Sequence, residues 1–112
     1  MSTEAVPGRV ARHVTAFNAA VRSGRWAEFA DRFAPDATMS FAGVPAGPFA
    51  GRDQIAAAYA AQPPSDTLEV RAVSAAGPAD VVSFAWSAGG AGTMTLTWDG
   101  DLVAALEIRF GS

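Results

Sequence analysis

The sequence predicts an α+β domain in which three helices pack on a strongly bent, mostly antiparallel sheet. Three observations carry this. Apolar residues recur at three- and four-residue intervals up to Phe33 and again after Gly51. From Thr67 onward they alternate every second residue, the mark of half-buried strands. Between these regions, Gly43, Pro45, Gly47 and Pro48 break the chain into a loop.

The first helix is expected over residues 8–23. Val10, Val14, Phe17 and Val21 form its apolar stripe, flanked by His13 and Ala20. Gly24 is the expected stop. Residues 1–7 read as a loose lead-in, with Pro7 acceptable at a helix start. A second helix, over residues 26–33, buries Trp26, Phe29, Ala30 and Phe33, and Pro35 ends it by disfavouring helical geometry at Ala34. Residues 37–41 then alternate, with Met39 and Phe41 on one face and Thr38 and Ser40 on the other. A third helix over residues 52–62 places Ile55, Ala58, Tyr59 and Gln62 at helical spacing, with Asp53 in its first turn.

Four strands follow. Residues 67–73 put Leu68, Val70 and Ala72 on one face and Glu69, Arg71 and Val73 on the other. Residues 81–87 group Val82, Phe84 and Trp86; residues 93–98 group Met94, Leu96 and Trp98 opposite Thr93, Thr95 and Thr97. Asp99-Gly100-Asp101 is read as a three-residue hairpin turn, so that Leu102, Ala104, Leu106, Ile108 and Phe110 face inward. A strict Asp99-Gly100 turn would instead place Glu107 and Arg109 beside the tryptophans, which is costly unless the two charges pair. The preferred register leaves Thr93, Thr95, Thr97, Val103 and Ala105 as a flat outer surface.

Composition excludes several classes. The 112 residues suit one domain spanning 1–112, long enough to bury roughly 65% of the unfolded surface. Half the residues are apolar and 17% charged, so the chain is globular. There is no cysteine, hence no disulfide framework or thiolate nucleophile. A single histidine rules out a multi-histidine metal site within one chain, and neither a metal nor a cofactor is expected. The net charge is −3 with no basic block, against nucleic-acid binding. With no long apolar run and no secretory leader, no membrane partner is expected and a cytoplasmic location is the default.

Asp36-Ala37-Thr38, the glycine-rich loop and Gly51-Arg52-Asp53-Gln54-Ile55-Ala56-Ala57-Ala58-Tyr59 resemble the corresponding elements of the nuclear transport factor 2-like superfamily, in its ketosteroid isomerase and SnoaL-like branch. The residue-level match runs from about Phe17 to Tyr59; beyond it, only the strand order agrees. The resemblance implies a cone-shaped, cystatin-like fold with a pocket between the helices and the concave sheet face. It also implies a homodimer formed through the convex face. In the isomerase an aspartate moves the proton, while a tyrosine and a protonated aspartate hold the enolate oxygen. Carried over residue by residue, the base falls on Phe41, the oxyanion tyrosine on Phe17, the oxyanion aspartate on Met94 and a second tyrosine on Phe33. Only the third-helix tyrosine survives, as Tyr59. Phenylalanine and methionine transfer no protons, so the resemblance supports the fold and weakens that mechanism.

The weak catalytic candidates are Tyr59, His13, Glu107 and Arg109. Tyr59 is either a donor to a ligand carbonyl or a core tyrosine with its hydroxyl satisfied by backbone or water. His13 is either a proton carrier at the pocket mouth or a surface histidine of its helix. Glu107 and Arg109 share a strand face: as a buried pair they form an acid–base site, of the kind that limonene-epoxide-hydrolase relatives build from aspartate and arginine, and otherwise a solvent-facing or interface pair. The expected pocket lining is Phe17, Met39, Phe41, Tyr59, Val82, Phe84, Trp86, Met94, Leu96 and Trp98. Three functions fit: a binder of a small hydrophobic ligand, an isomerase, cyclase or epoxide hydrolase acting on a small apolar substrate, or a non-catalytic dimerisation module.

Overall fold

The computed structural model describes residues 6–111. The lead-in expected over residues 1–7 lies, for residues 1–5, outside the described residues, as does residue 112. Among the described residues, three helices, α1 (Gly8–Ser23), α2 (Trp26–Ala30) and α3 (Arg52–Ala61), accompany six strands. These are β1 (Phe33–Ala42), β2 (Phe49–Ala50), β3 (Leu68–Ala76), β4 (Ala79–Trp86), β5 (Ala91–Asp99) and β6 (Leu102–Phe110). They form one sheet in the order β2-β1-β6-β5-β4-β3. β1 runs parallel to β6 and every other pairing is antiparallel.

Helix α1 buries Val10, His13, Val14, Phe17 and Ala20 and ends at Gly24, whose φ of 77° lets its N–H donate to the Ala20 carbonyl. Its far end is pinned to the sheet by Asn18. The side-chain Nδ2 donates to the Leu68 carbonyl at 3.0 Å, and the Leu68 N–H donates to Oδ1 at 2.9 Å. Helix α3 is anchored at its start by Arg52, whose Nε and Nη2 both donate to the Phe33 carbonyl, at 3.0 and 2.7 Å. The core lies between the helices and one sheet face, with Phe33, Met39, Ile55, Leu96, Val10, Val82 and Val103 its largest fully buried side chains.

The structure corrects three local readings. The second helix stops at Ala30, and Phe33 already belongs to β1. Pro35 is tolerated inside this strand because its segment escapes the ladder. The register against β6 slips between Phe33 and Thr38, and pairing with β2 begins only at Thr38.

The second correction is in β3, where a bulge between Val70 and Ala72 leaves Arg71 unpaired. The alternation flips there, so Val73 joins the core beside Val82 and Ala72 is exposed.

The third is the last hairpin. Asp99 pairs with Leu102 across a two-residue Gly100-Asp101 turn, with Gly100 at φ 63°. Trp98 therefore opposes Val103, which is fully buried rather than on the outer surface. A bulge at Ala104 then resets the register, so that Leu106 opposes Leu96 and Ile108 opposes Met94.

This reset keeps Glu107 and Arg109 outward, the facing that the preferred register expects, although the turn is shorter. Glu107 opposes Thr95 and Arg109 opposes Thr93 on the outer face, both exposed.

Candidate functional site

The helices do not fill the sheet's concave face. A cavity of about 500 Å³ remains between them, within the usual range of about 300–1,000 Å³ for small-molecule sites. Helix α1 contributes His13, Val14 and Phe17, and α3 contributes Ala58 and Tyr59, with Gln62 just beyond its end. The sheet supplies Met39, Phe41, Phe84, Trp86, Met94, Leu106 and Ile108. The exposed members of the wall mark its mouth. Val44 and Phe110 are 40% and 47% exposed, and Gln62 is exposed as well. Phe110 stacks on Phe41 at 6.0 Å with the rings 5° apart, and Phe49 meets Phe41 edge-on at 6.4 Å. One side of the mouth is thus an aromatic lip.

Of the ten expected lining residues, Phe17, Met39, Phe41, Tyr59, Phe84, Trp86 and Met94 meet at this cavity. Val82 and Leu96 do not: both are fully buried in the packed core behind the wall. Trp98 does not either. It lies further along the sheet, where its Nε1–H donates to Asp80 at 2.9 Å. Glu107 and Arg109 stand on the opposite sheet face, so an acid–base role for them has no cavity to act in.

Tyr59 is 6% exposed. It stacks on Trp26 at 4.7 Å with the rings 6° apart, and meets Phe29 edge-on at 5.4 Å. Burial pushes its pKa well above the ordinary phenol value, so the hydroxyl keeps its proton. His13 is 2% exposed, far from the surface position that its flank of the stripe suggests. Its ring packs on Phe29 at 5.2 Å and Phe33 at 5.9 Å. Nδ1 is enclosed without a partner among the described residues. Burial, and secondarily the Arg32 charge, lowers its pKa from 6.5 to about 3. At neutral pH the imidazole is therefore uncharged and is a poor general acid.

A buried carboxylate escapes the sequence analysis. Asp80 is 4% exposed and accepts from Trp98 Nε1 at 2.9 Å and Arg9 Nε at 3.2 Å. The Arg9 guanidinium also sits 5.0 Å from the Trp98 ring centroid. The pattern contains the signal: Asp80 shares the alternation of Val82, Phe84 and Trp86, so it falls on the apolar face. The cluster clips the start of α1 to β4 and β5. Asp80→Ala should cost about 2–3 kcal/mol in a urea titration, because it strands a partly buried indole N–H and removes a charge-assisted bond. A loss under about 0.5 kcal/mol would show that the clip contributes nothing.

Among the described residues no group of three or more His, Cys, Asp or Glu side chains could hold a metal ion. The cavity wall is apolar and aromatic, with His13 and Tyr59 as its buried polar groups and Asp66 at the rim. Such a site can desolvate an apolar molecule and offer it few polar contacts.

The family model of the SnoaL-like domain matches residues 14–111. No curated protein matches the chain. Solved structures share its architecture, the NTF-2-like or cystatin-like fold. A SnoaL-like protein of unknown function from Burkholderia thailandensis superposes with a TM-score of 0.73 at 14% identity, covering 96% of this chain and 98% of that one. A protein with a ketosteroid isomerase-like fold from Catenulispora acidiphila, solved with trimethylamine, gives 0.70 at 18% identity, covering 96% and 88%. An NTF-2-like protein of unknown function from Burkholderia xenovorans gives 0.70 at 17% identity, covering 93% and 84%.

Proposed function

The chain belongs to the SnoaL-like domain family, and from that premise we propose that it binds a small hydrophobic molecule in the cavity between α1, α3 and the sheet. The observation that carries this reading is the 500 Å³ space walled by Phe17, Phe84, Trp86 and Met94, with no acidic side chain buried in its wall. An isomerase of the ketosteroid type is disfavoured. The positions that would hold its base and oxyanion donors carry Phe41, Phe17 and Met94. Losing one oxyanion donor costs a factor of about 10² to 10³ in rate, and losing a general base about 10² to 10⁴. The same residues make the cavity more apolar, so binding survives the loss of chemistry.

The test is a tryptophan fluorescence titration with a β,γ-unsaturated ketosteroid, Trp86 being the tryptophan of the cavity wall, beside an absorbance assay for its conjugated product. Saturable quenching without turnover is expected. Turnover proportional to protein would overturn the non-catalytic reading; a flat titration here and with smaller apolar probes would overturn binding.

The proposal includes a homodimer. The outer face around Thr93, Thr95, Thr97 and Ala105 is weakly polar, with Glu107 and Arg109 alongside. A two-fold contact there can pair each Glu107 with the other copy's Arg109. Sedimentation at tens of micromolar should give twice the chain mass; monomer alone would exclude the dimer.

A further inference from the structure

Among the described residues, His13 is the one group of the cavity wall with a buried nitrogen that has no partner. Buried polar groups are usually paired, and an exception calls for a reason. The ring cannot satisfy Nδ1 from the protein, since Phe29 and Phe33 pack against it. The other nitrogen, Nε2, is not among the enclosed atoms that lack a partner. A neutral imidazole carries one proton and one bare lone pair. Orphaned buried N–H groups are rarer than under-satisfied acceptors, so the tautomer with a bare lone pair at Nδ1 is the less costly one. The proton therefore sits on Nε2, on a ring that lines the cavity.

We propose that His13 is the polar anchor of the cavity, its Nε2–H donating to one acceptor oxygen on an otherwise apolar, uncharged ligand. This rests on the cavity being a ligand site. It adds a ligand class: a hydrocarbon skeleton bearing a carbonyl, ether or hydroxyl oxygen, rather than a pure hydrocarbon. An organic cation is not what this anchor selects, because a neutral donor turns its proton toward the ligand. A carboxylate is disfavoured, because a wall of phenylalanine and methionine does not replace its hydration.

Two probes share one skeleton and differ by one oxygen: tetralin and α-tetralone. Their affinities are read from tryptophan fluorescence for wild type, His13→Leu and His13→Gln. His13→Leu should weaken α-tetralone about five- to tenfold more than tetralin, the usual weight of one hydrogen bond. His13→Gln, which still donates, should recover part of that difference. An unchanged ratio in His13→Leu would overturn the anchor while leaving the cavity as a binding site. Failure of wild type to bind either probe would overturn both readings.

A second measurement needs no variant. The chain has one histidine, so its imidazole nitrogens give unambiguous ¹⁵N signals. The Nε2–H proton resonance should move downfield with α-tetralone and not with tetralin. Equal responses to both, or a proton found on Nδ1 in the bound state, would overturn the anchor even if the leucine variant failed to fold.

Discussion

Acidification should destabilise this protein strongly through one histidine. The folded pKa of His13 lies near 3, against 6.5 when exposed. Between those values the unfolded chain binds a proton that the folded chain refuses, so stability falls as pH drops through that window. Above pH 6.5 both states are neutral at this site and it costs nothing; below about pH 3 both are protonated and the loss is complete. At 1.36 kcal/mol per pKa unit the whole interval is worth on the order of 4–5 kcal/mol. That is a large fraction of the roughly 5–15 kcal/mol typical of a domain. Carboxylates also contribute to acid unfolding, so the comparison is with His13→Leu, which keeps them all. Urea titrations at pH 7 and pH 4 should show wild type losing about 3 kcal/mol more than the variant. Equal losses would show that the ring is hydrated in the folded state.

The burial of His13 is hard to read from sequence for a physical reason. The residue lies on the edge of the apolar stripe of α1, where helical periodicity does not decide between core and surface. What buries it is the approach of Phe29 and Phe33 from α2 and β1, and that approach depends on where the chain turns after Ala30. The turn itself is ambiguous in sequence, because Pro35 suits both a helix stop and an unpaired stretch of strand. Local pattern cannot separate the two; the register slip against β6 does.

Periodicity locates elements well where it is unbroken. The stripe of α1 and its Gly24 stop place that helix to the residue, and alternation orders the inward faces of β4 and β5. It fails where an extra residue is inserted. The bulges at Arg71 and Ala104 each reverse the facing of the residues beyond them. The second reversal keeps Glu107 and Arg109 on the outer face even though the turn is one residue shorter than expected. The cavity is legible only by likeness to a known fold. A period-two pattern says which side chains face inward, not which of them are covered. Val82, Leu96 and Phe84 are equivalent by alternation, yet only Phe84 reaches open space.

Replacing Phe17 with alanine should cost about 3–4 kcal/mol, the lower part of the range for a buried aromatic ring. Phe17 is 7% exposed and meets four rings: Trp26 at 5.6 Å, Phe29 at 5.8 Å, Trp86 at 6.3 Å and Tyr59 at 6.5 Å. Beside the His13, Asn18 and Arg9 contacts, it ties α1 to α2, α3 and β4 at once. Truncation removes its transfer energy together with its aromatic pairs, each worth about 0.5–1.5 kcal/mol, and alanine replaces neither. The upper range is not expected, because one side of the ring already faces the cavity and has no packing there to lose. The void joins the existing cavity instead of forming a closed one. The same variant should therefore enlarge the site, and it should bind a bulkier apolar probe better than wild type does. Denaturant titration checks the first effect and tryptophan fluorescence the second. A stability loss under about 1 kcal/mol would mean that α1 is not held by this ring. A full loss with no gain for the larger probe would mean that Trp86 or Tyr59 collapses into the space that the ring vacates.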